Sequence, residues 1–386
     1  MYDKNLVDTM ALDMGITGYE KDFRIKAFHD FDALDNPAWH RIRVKDLTTP
    51  DYRVYNNQKV LFHKVEGLKV QPFPREVEDL SSALKDKAYG ASKKHVKQVE
   101  AFANSGTTIV VEAKVVVDEP IIIQMNLTEE NPLLIDKHTV WVKEAAAVTV
   151  VLDYTDVGLS SYHNGLLRVV AEQGAEVKVV KLQNLGGKSS HIFGTLIVQN
   201  RDSQVEYSAI DLGEGLTVTD VSTYLQEENA NLVTKSIYLG DGFAKQDIGY
   251  NTYHNGRRTF SDIAVKGALL DDARKVFRGN LYFARGAKKS KGSEEEYVIL
   301  LSDRVKADAI PALMCDEDDV QGEHAASAGQ VDANKLFYLM SRGLTEKESK
   351  ELIIMAAFAP VIEGLPIEGL KLRVHEEIGK KLEEEL

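Results

Sequence analysis

A repeat with a period near 28 residues constrains this chain more than any other feature. Apolar positions that follow a polar or small turn fall at Ile121, Val148, Val177, Val205, Leu232 and Phe260, in steps of 27, 29, 28, 27 and 28. The segments KEAAAVTVV, EQGAEVKVV, RDSQVEYSA and EENANLVTK each read as a turn, a small residue and a strand. Runs rich in Val and Ile, such as TTIVVEAKVVV and HIFGTLIVQN, are separated by Gly, Asn and Asp turns. No helical period interrupts them. Two short strands per unit at this spacing predict stacked β coils, each burying one face against its neighbours. The same spacing could serve an antiparallel sandwich of even hairpins, but the repeat favours the solenoid.

The flanks differ. LVDTMALDM looks helical, and residues 81–103 read as helix with a break at Gly90. KVLFHKV is a short strand candidate. After the solenoid the period turns helical. Asp332 occupies an N-cap position, and Gly343 is placed to close that helix. Thr345 and Glu348 have capping-box spacing for the next. Leu370, Val374, Ile378, Leu382 and Leu386 then recur every four residues among Glu and Lys. The expected organisation is a mixed, helical N-terminal unit (1–104), a β-helix core (105–331) and a C-terminal helical unit (332–386).

Composition narrows the function classes. The 386 residues carry a formal net charge of -13. Such an acidic surface opposes nucleic acid, whose binding rests on cations neutralising phosphates, and opposes an anionic membrane surface. The one cysteine, Cys315, excludes an internal disulfide, and with no apolar run of membrane-span length and no signal-like start the reading is a cytoplasmic protein. Gly187-Lys188-Ser189 resembles a phosphate loop, yet Leu182 stands where that motif needs glycine. The expectation is a turn, with no ATP bound on this chain. DLGEGLTV (211–218) also reads as a turn. His191 and His254 read as polar groups on the solenoid surface. A carbohydrate-cleaving β-solenoid enzyme is one alternative, although such enzymes are usually secreted.

Glu323-His324 is the strongest candidate site. An imidazole and a carboxylate can ligate iron or zinc, with Cys315 as a soft ligand. Adjacent strand residues face opposite sides, so Glu323 and His324 reach one metal only at a bulge or strand end. Gly322 before them and Ala-Ala-Ser after them would permit one. Spacing alone favours a buried polar pair. One thiolate cannot hold an iron–sulfur cluster without ligands from a second chain.

The stretches SIYLGDGFAKQDIGYNTYHNGRRTFSDIAVKGALLDDARKVFRGNLYF, ILLSDRVKADAIPALM and VQGEHAASAGQVDANKLFYLMSRGLTEKES resemble the SufB/SufD family of iron–sulfur cluster assembly scaffolds. The likeness spans roughly residues 100–360 and is looser at NPAWHRIRVKDLTT. It implies a right-handed parallel β-helix flanked by helical domains. It also implies pairing through the β-helix with a SufB- or SufD-like chain or a second copy. A SufC-type ATPase would bind the C-terminal helices, with docking expected at Phe337, Tyr338, Leu339, Arg342 and Gly343. Sulfur would come indirectly from a cysteine desulfurase system. The family's interface histidine falls on His324, and the glutamate before it in SufB-like members falls on Glu323. The SufB cysteine would fall near Val305 and is absent, and no family position matches Cys315. The chain is therefore SufD-like, or SufB-like in a simplified two-component system. A transient iron or iron–sulfur cluster at a subunit interface is implied, and a reduced flavin in the complex is compatible with the resemblance. The expected function is a non-catalytic scaffold; a purely structural adaptor is the remaining alternative.

Overall fold

The computed structural model describes residues 2–44, 47, 49–71, 78–156 and 160–385. Helices α1 (Lys4–Asp13) and α2 (Tyr19–Ala33) come first, then short strands β1 (Gln58–Leu61) and β2 (Leu68–Gln71). A single turn, α3 (Ser81–Leu84), and helix α4 (Lys93–Phe102) follow. The helix expected over 81–103 is thus broken around Gly90, whose φ of +84° an L side chain rarely adopts. The strands then run β3 (Ser105–Val111), β4 (Ile121–Leu127), β5 (Leu133–Val142), β6 (Ala147–Asp156), β7 (Tyr162–Ala171), β8 (Glu176–Asn184), β9 (Ser190–Gln199) and β10 (Gln204–Asp211). They continue β11 (Leu216–Leu225), β12 (Asn231–Gly240), β13 (Lys245–His254), β14 (Phe260–Leu269), β15 (Arg274–Phe283), β16 (Lys291–Leu300), β17 (Lys306–Ala309), β18 (Ala312–Cys315) and β19 (Gln321–Gln330). Helices α5 (Ala333–Ser341), α6 (Glu346–Ile362) and α7 (Glu368–Glu385) close the chain.

Successive strands alternate between two sheets. One carries β4, β6, β8, β10, β12, β14, β16 and β19; the other carries β3, β5, β7, β9, β11, β13, β15 and finally β17 with β18. Each of these pairings is parallel. The fold is a parallel β-solenoid with helices at both ends. Its inward residues line up rung on rung: Val148, Val177, Val205 and Leu232 form one such line. That line continues to Ser261, not Phe260. Phe260 is one residue off and therefore on the outer face, 37% exposed. Ile121 pairs with Val150 rather than Val148; two residues off, it stays inside and buried.

The ends of the solenoid differ. At the N-terminal end β1 pairs antiparallel with β4, and β2 with β3. At the other end, among the described residues, the last strands β19 and β17/β18 have no further partner.

Helices cover the two outer faces. Val99 and Phe102 of α4 pack with Leu133, Ile135 and Leu166 beside Val7 of α1 and Phe28 of α2. Arg24 of α2, fully buried, donates to the carbonyls of Ala101 and Ala103. On the opposite face Phe358, Ile362, Val374 and Ile378 pack against Leu182, Ile210 and Leu239. Arg373 of α7 donates two hydrogen bonds to Asp153, at 2.9 and 2.7 Å, and Lys381 pairs with Glu214 at 2.6 Å. The expected leucine ladder of α7 is the buried stripe from Leu370 to Leu382; Leu386 lies outside the described residues. The capping box of Thr345 and Glu348 is formed at the start of α6.

Candidate functional site at the open end of the solenoid

Strand β19 reads QGEHAASAGQ, a poor strand former by composition. It is extended because its backbone pairs with β16 over ten register positions, Lys291–Gln321 to Leu300–Gln330, without a bulge. Nearly all of it is exposed. It carries neither lysine nor proline, the residues that commonly blunt a free edge.

The unbroken register decides where the candidates sit. His324 is opposite Glu294, whose side chain is buried in the solenoid, so His324 belongs to the inward line. Glu323 is opposite Ser293, which bonds outward-facing Asp262, so it belongs to the outer line. The bulge that would bring Glu323 and His324 to one ion is not formed. Cys315 ends β18, exposed and in register with Phe283, which is buried in the core. The walls carrying Cys315 and His324 meet at Gly322: a Cβ there would fall 2.6 Å from Leu313 Cδ1 and 3.2 Å from Phe283 Cε2. His324 and Cys315 therefore share one rim, and Glu323 points away from it. Among the described residues no three His, Cys, Asp or Glu side chains converge as a metal site.

Beneath that rim lie charged groups that the sequence reading missed. Glu296 pairs with Lys275 at 2.5 Å and accepts from the Tyr238 hydroxyl at 2.7 Å. Glu294 is 2% exposed, and neither of its carboxylate oxygens has a hydrogen-bond partner among the described residues. Burial, with Glu296 and Glu295 nearby, pushes its carboxyl up to about 7. Burial lowers Lys275 against the pull of Glu296. The cue was in SEEEYV: strand alternation turns Glu294 and Glu296 inward and Glu295 out.

A second network runs through the other half of the solenoid. Asp136 accepts from His138 Nε2, His163 Nε2 and the Tyr154 hydroxyl, each at 3.0 Å. Burial would raise Asp136, but His163 and His138 hold it below the usual carboxylate range. His163 Nδ1 meets His191 Nδ1 at 2.8 Å, and Lys181 donates to Asp211 at 2.6 Å. Burial, with Lys181 and His163 beside it, holds His191 well below the usual imidazole value. His191 is thus neutral, and its Nε2 faces the Lys181 ammonium at 3.4 Å. His191 and His254 are not on the surface, as their sequence context suggested. Both face inward, and His254 is satisfied by Thr259 and Ser261 at 2.8 and 2.9 Å.

Two residues separate helix α5 from β19. Asp332 caps it, accepting from the N–H groups of Asn334 and Lys335, and Gly343 follows at φ +99°. None of its residues is buried. Phe337 is 74% and Tyr338 56% exposed, while Leu339 is half-buried. The Arg342 guanidinium lies 5.3 Å from the Tyr338 ring centre. Gly187, Lys188 and Ser189 lie in the turn between β8 and β9, and Gly213 and Gly215 in that between β10 and β11.

Residues 125–357 match the family described as SUF system FeS cluster assembly, SufBD core domain. The chain belongs to the SufB/SufD family. The matched segment takes in most of the solenoid, α5 and much of α6. Among curated relatives, the iron-sulfur cluster assembly protein SufD of Bacillus subtilis (strain 168) is 30% identical over 73% of this chain and 65% of its own. An iron-sulfur cluster assembly SufBD family protein of Staphylococcus saprophyticus is 27% identical over 69% of this chain and 58% of its own. One from Staphylococcus haemolyticus is 27% identical over 80% and 69%. The chain thus covers under two thirds of the length of the first two relatives. No helix among the described residues is long and apolar enough to cross a membrane.

Proposed function

We propose that this SufB/SufD family member is a non-catalytic scaffold subunit of a cytoplasmic Suf-type iron–sulfur cluster assembly complex. It pairs through the open end of its solenoid with a second copy or a SufB- or SufD-like chain, and α5 docks a SufC-type ATPase. One observation carries the reading: the solenoid is capped at its N-terminal end but, among the described residues, presents an unpaired ten-residue edge at the other. A free edge of that length is a template for another strand. His324 and Cys315 stand on that rim, so pairing would bring a second set of ligands to them. Iron and sulfide are the cargo, with sulfur supplied indirectly by a cysteine desulfurase system; the ATP is the partner's.

The chain also supplies a coupling element. Helix α5 follows the edge strand directly, while α6 and α7 are anchored on the solenoid. A partner that moves α5 would pull on β19, and a paired edge has two discrete states that such a pull can bias. Ala326→Pro tests the pairing. The Gln321 N–H bonds Ser290 within the solenoid; by alternation the N–H of Ala326 faces the free edge. Proline there removes an edge donor and spares the pairing with β16. Light scattering should show Ala326→Pro unpaired yet still co-purifying with the ATPase. Pairing that survives unchanged would refute the reading.

A further inference from the structure

The strongest unexplained feature at the open end is a carboxylate with nothing to bind. Glu294 is 2% exposed, and among the described residues both of its oxygens lack a hydrogen-bond partner. A buried carboxylate left so is costly, and native proteins pair such groups or use them to coordinate metals. Lys275, whose charge acts on Glu294, is committed elsewhere: it pairs with Glu296 at 2.5 Å and donates to the Asp308 carbonyl at 3.2 Å. Two carboxylates therefore share one ammonium. Space has been left for Glu294. A Cβ on Gly279, across the solenoid, would fall 2.4 Å from its Cδ, so the bare glycine admits the carboxyl.

The group that comes next in this column is His324, the register partner of Glu294 on the last strand. Neighbouring strands lie about 4.8 Å apart, so imidazole and carboxylate stand one rung apart on the inward line of an open rim. Resting on the reading of this rim as the cluster-assembly site, we infer that Glu294 is an oxygen ligand which, with His324, holds a divalent transition-metal ion there before any sulfide arrives. Carboxylate and imidazole together suit ferrous iron and its divalent neighbours. Water and the paired chain complete the coordination. Glu323 has no part in this site, because it lies on the outer line.

The test titrates the purified full chain, in its paired form, with Fe²⁺ alone under anaerobic conditions, reading affinity by competition with a chromogenic chelator. Glu294→Gln, which keeps the shape and removes the charge, should weaken Fe²⁺ binding at least tenfold and leave the melting temperature at or above that of the parent. Gly279→Ala gives an independent check: its methyl displaces only the end of a flexible side chain, and it too should weaken binding. Glu295→Gln, on the outer face and paired with Lys266 at 2.8 Å, should bind as the parent does. Unchanged affinity in Glu294→Gln, or in Gly279→Ala should the former not fold, would overturn the inference. The two readings fail separately. If Glu294→Gln binds normally while Ala326→Pro unpairs the chain, the metal ligand falls and the scaffold stands. If Glu294→Gln loses Fe²⁺ while Ala326→Pro stays paired, the ligand stands and the pairing falls.

Discussion

Replacing Arg373 by methionine tests what anchors the C-terminal helices to the solenoid. Arg373 makes a two-pronged bond to Asp153, and Asp153 is 4% exposed. The variant keeps an apolar stem of similar reach and leaves that carboxylate without its cation. Glu377, one turn on, loses the same partner at 3.6 Å. Removing one member of a fully buried pair costs about 3–5 kcal/mol. The Arg373 side chain is 32% exposed, so water reaches the gap and the cost should fall to about 2 kcal/mol. At about 1.4 kcal/mol per tenfold change, that is roughly a thirtyfold shift in the equilibrium for opening. The double variant Arg373→Met with Asp153→Leu no longer strands the buried Asp153 carboxylate, leaves the loss to the partly exposed Glu377, and should return to within about 1 kcal/mol of the parent. Hydrogen exchange of α7 amides reads local release, and urea denaturation reads the global value. Equal costs for the single and double variants would refute the reasoning, as would a single-variant cost below about 0.5 kcal/mol.

Three further outcomes are expected. Burial, with Lys94 beside it, lowers His95 to about 4, so its neutral form stabilises the fold above the unfolded value near 6.5, and that contribution is lost as pH falls toward 4. Urea denaturation followed by Trp39 fluorescence, whose ring lies 5.5 Å from His95, should therefore slope less steeply with pH below 6.5 in His95→Gln than in the parent. Gly267→Ala should destabilise by about 1–3 kcal/mol in the same assay, because the new Cβ would fall 2.0 Å from Cζ of the buried Tyr238 ring. Phe337→Glu with Tyr338→Glu should abolish co-purification of the ATPase while shifting stability by no more than about 0.5 kcal/mol, since both side chains are exposed in this chain.

The repeat made the solenoid legible because each rung must bury the same inward positions. Val148, Val177, Val205 and Leu232 are recognisable from spacing alone. Phe260 was misassigned because a one-residue change in turn length inverts the face, and its aromatic ring looks like core in any one-dimensional reading. His191, His254 and Asp136 were invisible as interior groups because burial of polar residues depends on partners from other rungs, as between Asp136 and His163. Helix α2 escaped notice for a related reason. Its buried face includes Arg24, which donates to carbonyls of α4 and of the residue after it, contacts that no one-dimensional pattern announces. The helix ends at Asp332, Gly343 and Thr345 were readable because caps are local. Family likeness and composition brought His324 forward, but only the register separated it from Glu323 and joined it to Glu294.

The central claim is that the rim of the open end receives iron and sulfide. Its most direct test is anaerobic reconstitution of the purified complex carrying His324→Ala, read as iron and sulfide content per paired scaffold. The account predicts a marked loss of cluster with pairing and ATPase binding intact. A full cluster complement in that variant would contradict it.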